Sequence, residues 1–463
     1  MTQPFSPKLK ATIAGLWTGN LFAPFLVSGV AAMLPAIGAS LEGSAVALSL
    51  VMVCYNLGQG ISHMLSGRIC GMVGVKRVLL AGVALFCLFG ILLALAQSMA
   101  FAIALRFAQG LAAASISCCV TALSVSLAPP QKRGQVISTV VTAVYLGLAV
   151  GPLICGALTE FSGWRSVFFV VAFFGAVDLW LLKRVIPDQP PSAPDRPFNV
   201  RNAVLAVLSL GLITFGATCH FLHPSVIWLL PAGFALLAVF VRQELRCEHP
   251  ILELRVLAKV KGLPGGMAAT FINYGAIMGL SVFFSLYLQQ VLGLNPFAAG
   301  CVMMTQSFMQ MLFSPVAGRL ADRFDAVRVS TLGMAGCGAS ILALTLLDAH
   351  SPVWQVVLQQ ACLGTGIAFF VAPNVSATLG NVPQEYMPMA SGLLGCLRTL
   401  GGLMSHILMA GIIGWYMGSA SVNAQNAGLF LQAMRCTLIL FGSLNMLALF
   451  FGLRRSRKTA EKA

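Results

Sequence analysis

Long runs of apolar residues alternate with short polar segments along almost the whole chain. Most of these runs reach the roughly 20 residues that an α-helix needs to cross the hydrocarbon core of a bilayer. The pattern therefore predicts an all-α integral membrane protein with fourteen transmembrane helices, an even number that places both chain ends on the same side. The predicted spans are 11–37, 45–66, 78–97, 100–128, 135–158, 165–186, 201–220, 225–242, 265–289, 297–317, 329–348, 353–380, 390–415 and 427–453.

Two polar interruptions divide the predicted spans into groups. The first, 187–197, is rich in proline and follows the sixth span, as a linker would. The second, 243–262, mixes charged residues with spaced apolar ones and predicts an amphipathic segment on the membrane surface. The chain is thus predicted to comprise an N-terminal six-helix bundle over 1–186, a linker with two extra transmembrane helices and the amphipathic segment over 187–264, a C-terminal six-helix bundle over 265–453 and a basic cytoplasmic tail over 454–463.

The two predicted bundles resemble each other between their second and third spans. Residues Gly67–Arg77 read GRICGMVGVKR, and Gly318–Arg328 read GRLADRFDAVR. Parallel repeats of this kind occur in transporters whose substrate site lies between the halves near mid-membrane. One interpretation makes both segments cytoplasmic gate loops that pair charges in one conformation only, and the alternative is plain anchoring by positive charge. The residues of the gate interpretation are Gly67, Lys76, Arg77, Gly318, Asp322, Arg323 and Arg328.

Composition and charge support a membrane protein and argue against a nucleic-acid partner. The chain of 463 residues is 58% hydrophobic and 9% charged, with a mean hydropathy of +0.89, whereas soluble domains carry about 25% charged residues. With cytoplasmic termini, all 28 Lys and Arg residues except Arg106, Arg165, Arg398 and Arg435 fall on cytoplasmic segments. The net charge of +15 therefore reflects topology. We expect a bacterial inner-membrane protein with both termini cytoplasmic.

No sequence feature indicates catalysis, a cofactor or a metal. The thirteen cysteines are scattered through apolar runs, which favours packing over a disulfide framework or a metal site. The chain lacks a Walker loop and a nucleophile elbow. We therefore expect neither an enzyme nor an ATP-driven pump.

Arg106, Arg398 and His406 are predicted inside spans, where a charge is costly unless it faces a cavity or a partner. Arg106 lies three residues before Gln109 on the same helix face, and both are candidates for proton coupling or the substrate cavity. Snorkelling of Arg106 to the interface is the alternative. Arg398 is a further cavity candidate. His406, two turns beyond it, is a candidate proton carrier or a packing residue.

Asp178 is the only acid predicted inside a span, near the cytoplasmic end of the sixth. A carboxyl group in an apolar setting can hold a proton. The alternative is an interfacial acid paired with Lys183 or Arg184. Uncharged polar residues inside spans either link helices or line the cavity, and both roles stay open at this point. They are Asn20, Asn273, Gln306, Gln310, Gln359, Gln360 and Asn374.

The stretch Tyr145–Arg165 combines an apolar body with Gly147, Gly151, Pro152 and Gly156. In water, an interior glycine costs a helix roughly 1 kcal/mol and a proline about 3 kcal/mol. In a membrane, neighbouring helices can satisfy the freed backbone groups, and small residues allow close helix contact. The stretch therefore predicts a bent and tightly packed transmembrane helix.

Motifs in several spans resemble those of one transporter family. Gly147–Pro152 (GLAVGP) followed by Gly156 is similar to its fifth-span antiporter motif, and Leu105–Gly110 (LRFAQG) to the fourth-span motif whose arginine the family links to proton coupling. The chain thereby resembles, over nearly its whole length, the fourteen-span drug:proton antiporters of the major facilitator superfamily. The resemblance implies the major facilitator fold, with two six-helix halves plus two extra helices. Further matching segments are Trp164–Phe168, 249–257, 287–300 and 391–402.

The sequence departs from this family at acidic positions. Gly71 and Met72 stand where the first loop usually carries Asp and Arg, and Leu26 stands where the first span usually carries Asp. Val171 and Phe173 replace an Asn and a Pro expected early in the sixth span. These departures weaken the expectation of proton exchange in the first span and of attraction for cationic drugs.

The resemblance implies a secondary active transporter that exports small organic compounds by proton antiport with rocker-switch alternating access. Because the buried Arg106 and Arg398 are positive, a neutral, amphipathic or anionic substrate is expected. The alternatives are a specific metabolite or siderophore exporter of the same fold, and an uncoupled facilitator or membrane partner protein. The expected partners are the substrate, protons and membrane lipids, and the expected state is a monomer.

Overall fold

The computed structural model describes residues 7–127, 133–188, 191, 199–219, 224–247, 260, 262–380, 382, 387–418, 422 and 426–460. Fourteen long helices cross these ranges, which contain no strand. The helices are α1 (Pro7–Leu41), α2 (Ala45–Val73), α3 (Val75–Ala94), α4 (Met99–Ser126), α5 (Arg133–Ser162), α6 (Trp164–Val185), α7 (Val200–Cys219), α8 (Leu229–Glu244), α9 (Leu263–Val291), α10 (Pro296–Arg323), α11 (Ala326–Ala343), α12 (Val353–Leu379), α13 (Met387–Met417) and α14 (Ala427–Ala460).

The predicted all-α membrane fold is confirmed, with one helix less apolar than the others. Among the described residues, thirteen helices are long and apolar enough to cross a membrane. The exception is α10, whose 28 residues include Gln306 and Gln310. Because α10 packs on α5 and α12, its polar residues can face protein instead of lipid, where they are tolerated.

Helix α9 is interrupted where it passes α13. Its α-helical geometry ends at Ile277 and resumes over Leu280–Leu286, followed by a π-helical turn over Tyr287–Val291. At the interruption, the backbone N–H of Gly279 donates to Ser405 Oγ at 2.8 Å. The break therefore leaves no free donor at this glycine, as a membrane interior requires.

The predicted gate loops are helix ends, so their prediction as loops was wrong. Residues up to Val73 belong to α2, and Gly74, with a φ of 101°, makes the turn into α3. This conformation strongly favours glycine. Likewise, Gly318 to Arg323 continue α10, and Asp325 caps α11 by accepting from the backbone N–H of Val327 at 3.0 Å. Both helices therefore extend beyond the apolar stretch from which their ends were predicted.

Helices α1–α6 and α9–α14 pack in the same pattern. In the first set, α1 packs on α5, α2 on α4, and α3 on both α4 and α6. In the second set, α9 packs on α13, α10 on α12, and α11 on both α12 and α14. The two sets are thus structural repeats.

Helices α7 and α8 form a hairpin beside the two repeats. They pack on each other, and α7 also packs on α2 and α13. Met64, Ala206, Phe240 and Cys396 form a small apolar cluster at this contact. The hairpin therefore lies against the line where the two repeats meet.

Several features lie outside the described residues. They include most of the predicted linker, the amphipathic segment beyond Cys247 and the side chain of Asp322. Helix α14 is described to Ala460, so the predicted tail after 453 continues this helix over most of its length.

The two repeats meet on the face opposite the chain ends, here called the outer face. A methyl group added at Gly156 would overlap the Pro296 carbonyl oxygen, and one at Gly300 would overlap that of Pro152. Alongside this contact between α5 and α10, Gln289 Nε2 donates to the Ala32 carbonyl oxygen at 2.8 Å. We call these residues of α1, α5, α9 and α10 the outer seam.

The glycines of α5 do not all belong to the outer seam. Gly147 and Gly151 face the backbone of α1 near Leu21 and Phe25, within the first repeat. Gly156 alone among the three faces α10. The glycine pattern of Tyr145–Arg165 therefore serves two contacts, because α5 lies between α1 and α10.

Replacement of Gly156 by alanine should loosen the outer seam. The added Cβ would meet backbone atoms of α10, which can move only with the helix, and overpacking of this kind costs typically 1–3 kcal/mol. We expect faster hydrogen–deuterium exchange at the outer ends of α5 and α10 and a lower thermal midpoint.

Gly211→Ala is the matched control for this substitution, because no atom lies within 4 Å of a Cβ added at Gly211. Equal exchange rates and midpoints for Gly156→Ala and Gly211→Ala would contradict a close seam at this position.

Candidate functional site

Arg106 is a fully buried cation with few partners. Its Nη1 donates to Gln109 Oε1 at 2.6 Å, and its Cζ lies 4.2 Å from the centre of the Tyr55 ring on α2. Nε and Nη2 of Arg106 have no hydrogen-bond partner in the described part of the chain. No ion pair joins Arg106 to a carboxylate among these residues. The snorkelling alternative is excluded by burial, and two donors are free to bind an additional acceptor.

Close contact between α2 and α4 brings Tyr55 to Arg106. Substituents at Gly58 and Gly110 would overlap the carbonyl oxygens of Phe107 and Tyr55, respectively. The glycine that ends the LRFAQG motif therefore allows α2 to approach Arg106. A ring face close to a guanidinium stabilises its charge in a site without a counter-ion.

Arg398 lies at the centre of a second cluster, formed by both repeats. It is exposed although it lies eleven residues, about 16 Å, inside α13. Its Cζ lies 6.0 Å from the centre of the Tyr274 ring on α9. It also lies near His63 of α2 and Tyr145 of α5. Because these helices come from both repeats, Arg398 faces the space between them.

Tyr145 extends this cluster to α10, where its hydroxyl interacts with Ser314. The sequence analysis named neither Tyr145 nor His63 and Tyr274 as site residues. Like Arg398 itself, they are polar residues within predicted spans, and that was the available signal for them.

His406 is fixed by its own helix. Its Nδ1 donates to the Gly402 carbonyl oxygen at 2.7 Å, and Nε2 has no partner in the described residues. The residue is buried and lies two turns, about 12 Å, from Arg398 along α13. This geometry favours the packing interpretation.

Asp178 is buried between α6 and α1. Its Oδ1 accepts from the Thr18 hydroxyl, and its Oδ2 faces Gly19 without a hydrogen-bond partner in the described residues. The alternative ion pairs are not formed, because Lys183 is exposed and the Arg184 guanidinium lies 4.0 Å from the centre of the Trp180 ring. Asp178 is therefore a buried carboxyl group without a cationic partner among the described residues.

Asp178 and Arg106 belong to the same repeat but do not meet. Gly90 of α3 lies beside both Gln109 and the backbone of Phe168. Phe168 precedes Asp178 by ten residues, which is about 15 Å along α6. The buried acid and the buried base thus lie at different depths.

The three asparagines among the predicted polar residues link helices. Asn20 Nδ2 donates to the Val140 carbonyl oxygen at 3.2 Å, and Asn273 Nδ2 to Asn445 Oδ1 at 3.0 Å. Asn374 Nδ2 donates to Thr270 Oγ1 at 2.8 Å. Gln306 is half-buried and Gln310 is buried on α10. The three asparagines therefore join neighbouring helices within their own repeats.

The predicted gate residues form ion pairs within each repeat. Lys76 Nζ lies 2.8 Å from Asp188 Oδ1, beyond the end of α6, and this hydrogen bond holds the pKa of Asp188 below its usual range. Arg328 Nε lies 3.9 Å from Asp325 Oδ2. These are the only two ion pairs among the described residues. Neither of them joins the first repeat to the second.

The remaining gate residues have other surroundings. Arg77 and Arg323 are exposed, and the Arg323 guanidinium lies 5.9 Å from the centre of the Phe324 ring. A Cβ at Gly318 would meet no atom within 4 Å, so packing does not require glycine there.

Two helical repeats that enclose a charged space define a membrane transporter built from two bundles. A sequence profile described as Major Facilitator Superfamily matches residues 16–243 and 266–463, and the chain belongs to this superfamily. The resemblance inferred from its motifs is thereby confirmed.

Named relatives and a solved structure agree with this assignment. The chain is 28% identical to the multidrug resistance protein Stp of Mycobacterium tuberculosis, over 88% of this chain and 75% of Stp. It is 24% identical to the riboflavin transporter RibZ of Clostridioides difficile, over 79% of this chain and 80% of RibZ. A crystal structure of the peptide transporter POT has the same fold, with a TM-score of 0.69 and 15% identity over 96% of this chain and 95% of that one.

Arg106→Met should separate function from stability. Removing an unpaired buried charge relieves its desolvation, so we expect a thermal midpoint equal to or above that of the wild type. Transport should fall at least about tenfold, which corresponds to ~1.4 kcal/mol. Dye efflux from proteoliposomes and thermal unfolding in detergent measure the two effects.

Arg165→Met serves as the control, because Arg165 donates to the Ala96 carbonyl oxygen at 3.1 Å near the outer end of α6. A structural role for Arg106 predicts the opposite pattern, with a lower midpoint and retained transport in the protein that remains folded.

Proposed function

We propose that this protein exports small organic compounds across a bacterial inner membrane by proton antiport with rocker-switch alternating access. Its termini lie in the cytoplasm, and it acts as a monomer. The observation that carries the proposal is Asp178, a buried carboxyl group with one oxygen bonded to Thr18 and the other free of partners among the described residues. Such a group can take up and release a proton as its surroundings change.

The outer seam supports alternating access. It joins the repeats by backbone contacts at Gly156 and Gly300, without ion pairs, and can therefore separate as a unit. Arg398 is exposed on the inner side of these contacts, between the repeats. This arrangement is consistent with a cavity that opens toward the cytoplasm while the outer face is closed.

Arg106 supports coupling to the proton site. Its free Nε and Nη2 donors would bind water or a substrate acceptor. When water or substrate binds these donors or leaves them, the electrostatic potential changes within the repeat that also contains Asp178. In this proposal, Arg106 tunes protonation and does not carry the proton.

The charges between the repeats support a neutral, amphipathic or anionic substrate. Arg398 lies among Tyr274, His63 and Tyr145, which provide aromatic surface and hydrogen-bonding groups. Leu26 is completely buried in hydrocarbon packing, so the first span offers no carboxylate at that position to attract a cation.

The similarity to RibZ favours a second candidate, a transporter specific for one aromatic metabolite. RibZ is named as a riboflavin transporter, and the aromatic residues around Arg398 suit a flat ring system. The same antiport mechanism would serve this candidate, and a narrow substrate range in a transport panel distinguishes it from multidrug export.

Asp178→Asn should uncouple transport from the pH gradient. The amide keeps the shape and the contact with Thr18 but cannot exchange a proton at this atom. In proteoliposomes with an imposed pH gradient, we expect gradient-driven accumulation to disappear while equilibrium substrate binding changes by less than about twofold, or ~0.4 kcal/mol.

Glu160→Gln is the control, because Glu160 is exposed at the outer end of α5. Full gradient-driven accumulation by Asp178→Asn would exclude Asp178 as the proton carrier.

Arg398→Gln should change substrate preference. The loss of this cation should weaken binding of an anionic dye about tenfold, since a hydrogen bond to a charged group contributes roughly 1.5 kcal/mol. Binding of a neutral dye should change by less than about twofold. Competition assays in proteoliposomes measure both affinities.

Arg435→Gln is the matched control, because Arg435 is an exposed arginine on α14. Equal weakening of anionic and neutral dyes by Arg398→Gln would point to a structural role for this residue.

A further inference from the structure

The α7–α8 hairpin has a basic cavity at the end that carries the start of α7 and the end of α8. The cavity has a volume of about 580 Å³. Arg201, Arg242 and Arg246 line it together with the amides of Asn202 and Gln243, and none of its eight lining residues is acidic. All three arginines are exposed. The cavity is therefore a concentration of guanidinium donors at a membrane boundary.

Glu244 follows the lining residue Gln243 but does not itself line the cavity. Glu244 is buried between α7 and α8, where its Oε1 accepts from Asn202 Nδ2 at 2.5 Å. Asn199 Nδ2 donates to Cys247 Sγ at 3.3 Å and also joins the two helix ends. These contacts hold the ends of α7 and α8 together, and the three arginines are the charged residues that line the cavity.

An apolar groove continues from the basic cavity along α8. It has a volume of about 640 Å³, is lined by Phe234, Leu237, Ala238, Val241 and Leu245, and shares Arg242 and Arg246 with the basic cavity. Only 11% of the α8 span is buried, the lowest share among the thirteen apolar spans of the described residues. In a bilayer, this groove faces acyl chains.

We propose that the α7–α8 hairpin binds an anionic phospholipid. The headgroup phosphate lies between Arg201, Arg242 and Arg246, and an acyl chain lies along the groove beside Phe234 and Val241. Guanidinium groups bind phosphate oxygens in pairs, and basic pockets between transmembrane helices suit anionic headgroups. A free phosphate would use the basic cavity alone, whereas a phospholipid uses both adjoining sites.

The site lies on the membrane face assigned above to the cytoplasm, whose leaflet carries anionic lipid. It does not depend on the transported substrate or on proton coupling. Because α7 packs on α2 and α13, the lipid would occupy the periphery of the contact between the repeats.

Native mass spectrometry of the full-length protein tests this site with phosphatidylglycerol and phosphatidylcholine as probes. The wild type should retain phosphatidylglycerol in preference to phosphatidylcholine. Each arginine near the membrane surface contributes about 1 kcal/mol, or roughly fivefold in affinity. The triple variant Arg201→Gln, Arg242→Gln, Arg246→Gln should therefore lose this preference, and Arg242→Gln alone should weaken it roughly fivefold.

A matched triple variant removes the same charge elsewhere on that face. Lys183, Arg184 and Arg319 are exposed basic residues on α6 and α10, and their replacement by Gln should leave the preference intact. Equal loss in both triple variants would overturn the proposal in favour of general surface charge, and so would absence of any preference in the wild type.

A third arm separates lipid from free phosphate. Phe234→Ser with Val241→Ser should lower retention of phosphatidylglycerol without affecting competition by inorganic phosphate. If inorganic phosphate displaces the lipid completely and the groove variant retains it fully, the cavity is an anion site and the lipid assignment is wrong. Size-exclusion profiles and helical circular dichroism identify variants that fail to fold. If a multiple variant fails to fold, the lipid preference of the single variant Arg242→Gln decides the test.

Discussion

The backbone contact between α5 and α10 is the interaction on which the arrangement of the two repeats depends. Gly156 faces Pro296, and Gly300 faces Pro152, so each helix contributes one glycine and one carbonyl group of a proline. A side chain at either glycine would separate the helices. The absence of Cβ atoms allows an approach that dispersion and backbone polarity stabilise without ion pairs. Such a contact joins the two repeats at the outer face through uncharged backbone groups.

Closure of the outer seam determines where the charged residues lie. The contact brings α1 to α9 through Gln289 and leaves Arg398 between the repeats, near Tyr274 of α9 and Tyr145 of α5. Arg106 and Asp178 remain within the first repeat and form no ion pair with each other. Each is therefore a buried group whose energy changes when water, protons or substrate reach it, which gives a transporter the means to link those events.

The architecture was predictable from the sequence because the bilayer imposes a simple rule. A helix satisfies the backbone groups of its own segment in lipid, so each apolar run of sufficient length becomes a span. The helix ends were less predictable, since Gly67 suggested a turn whereas Gly74, with its positive φ, makes it. Helix α10 is only weakly apolar, and its polar residues are tolerated because the helix packs on α5 and α12. The sequence of one span does not reveal which of its sides packs against other helices.

Individual site residues were predictable where burial alone reveals them. A charge inside a span must face protein or a cavity, and Arg106 and Asp178 both do. Their neighbours were not predictable, because Tyr55 reaches Arg106 only through the close packing at Gly58 and Gly110. Contacts between helices that are distant in sequence depend on the rotation of each helix about its axis and on its depth in the membrane. The order of residues in a span determines neither.

Substrate-driven proton movement tests the central claim most directly. Proteoliposomes would contain the protein and an internal pH indicator, with no imposed pH gradient, and receive an inward or outward gradient of a transported compound. Antiport predicts that protons move opposite to the compound, reverse direction with its gradient, and stop in Asp178→Asn. Movement of the compound in both directions without any change in internal pH would contradict antiport and identify a facilitator.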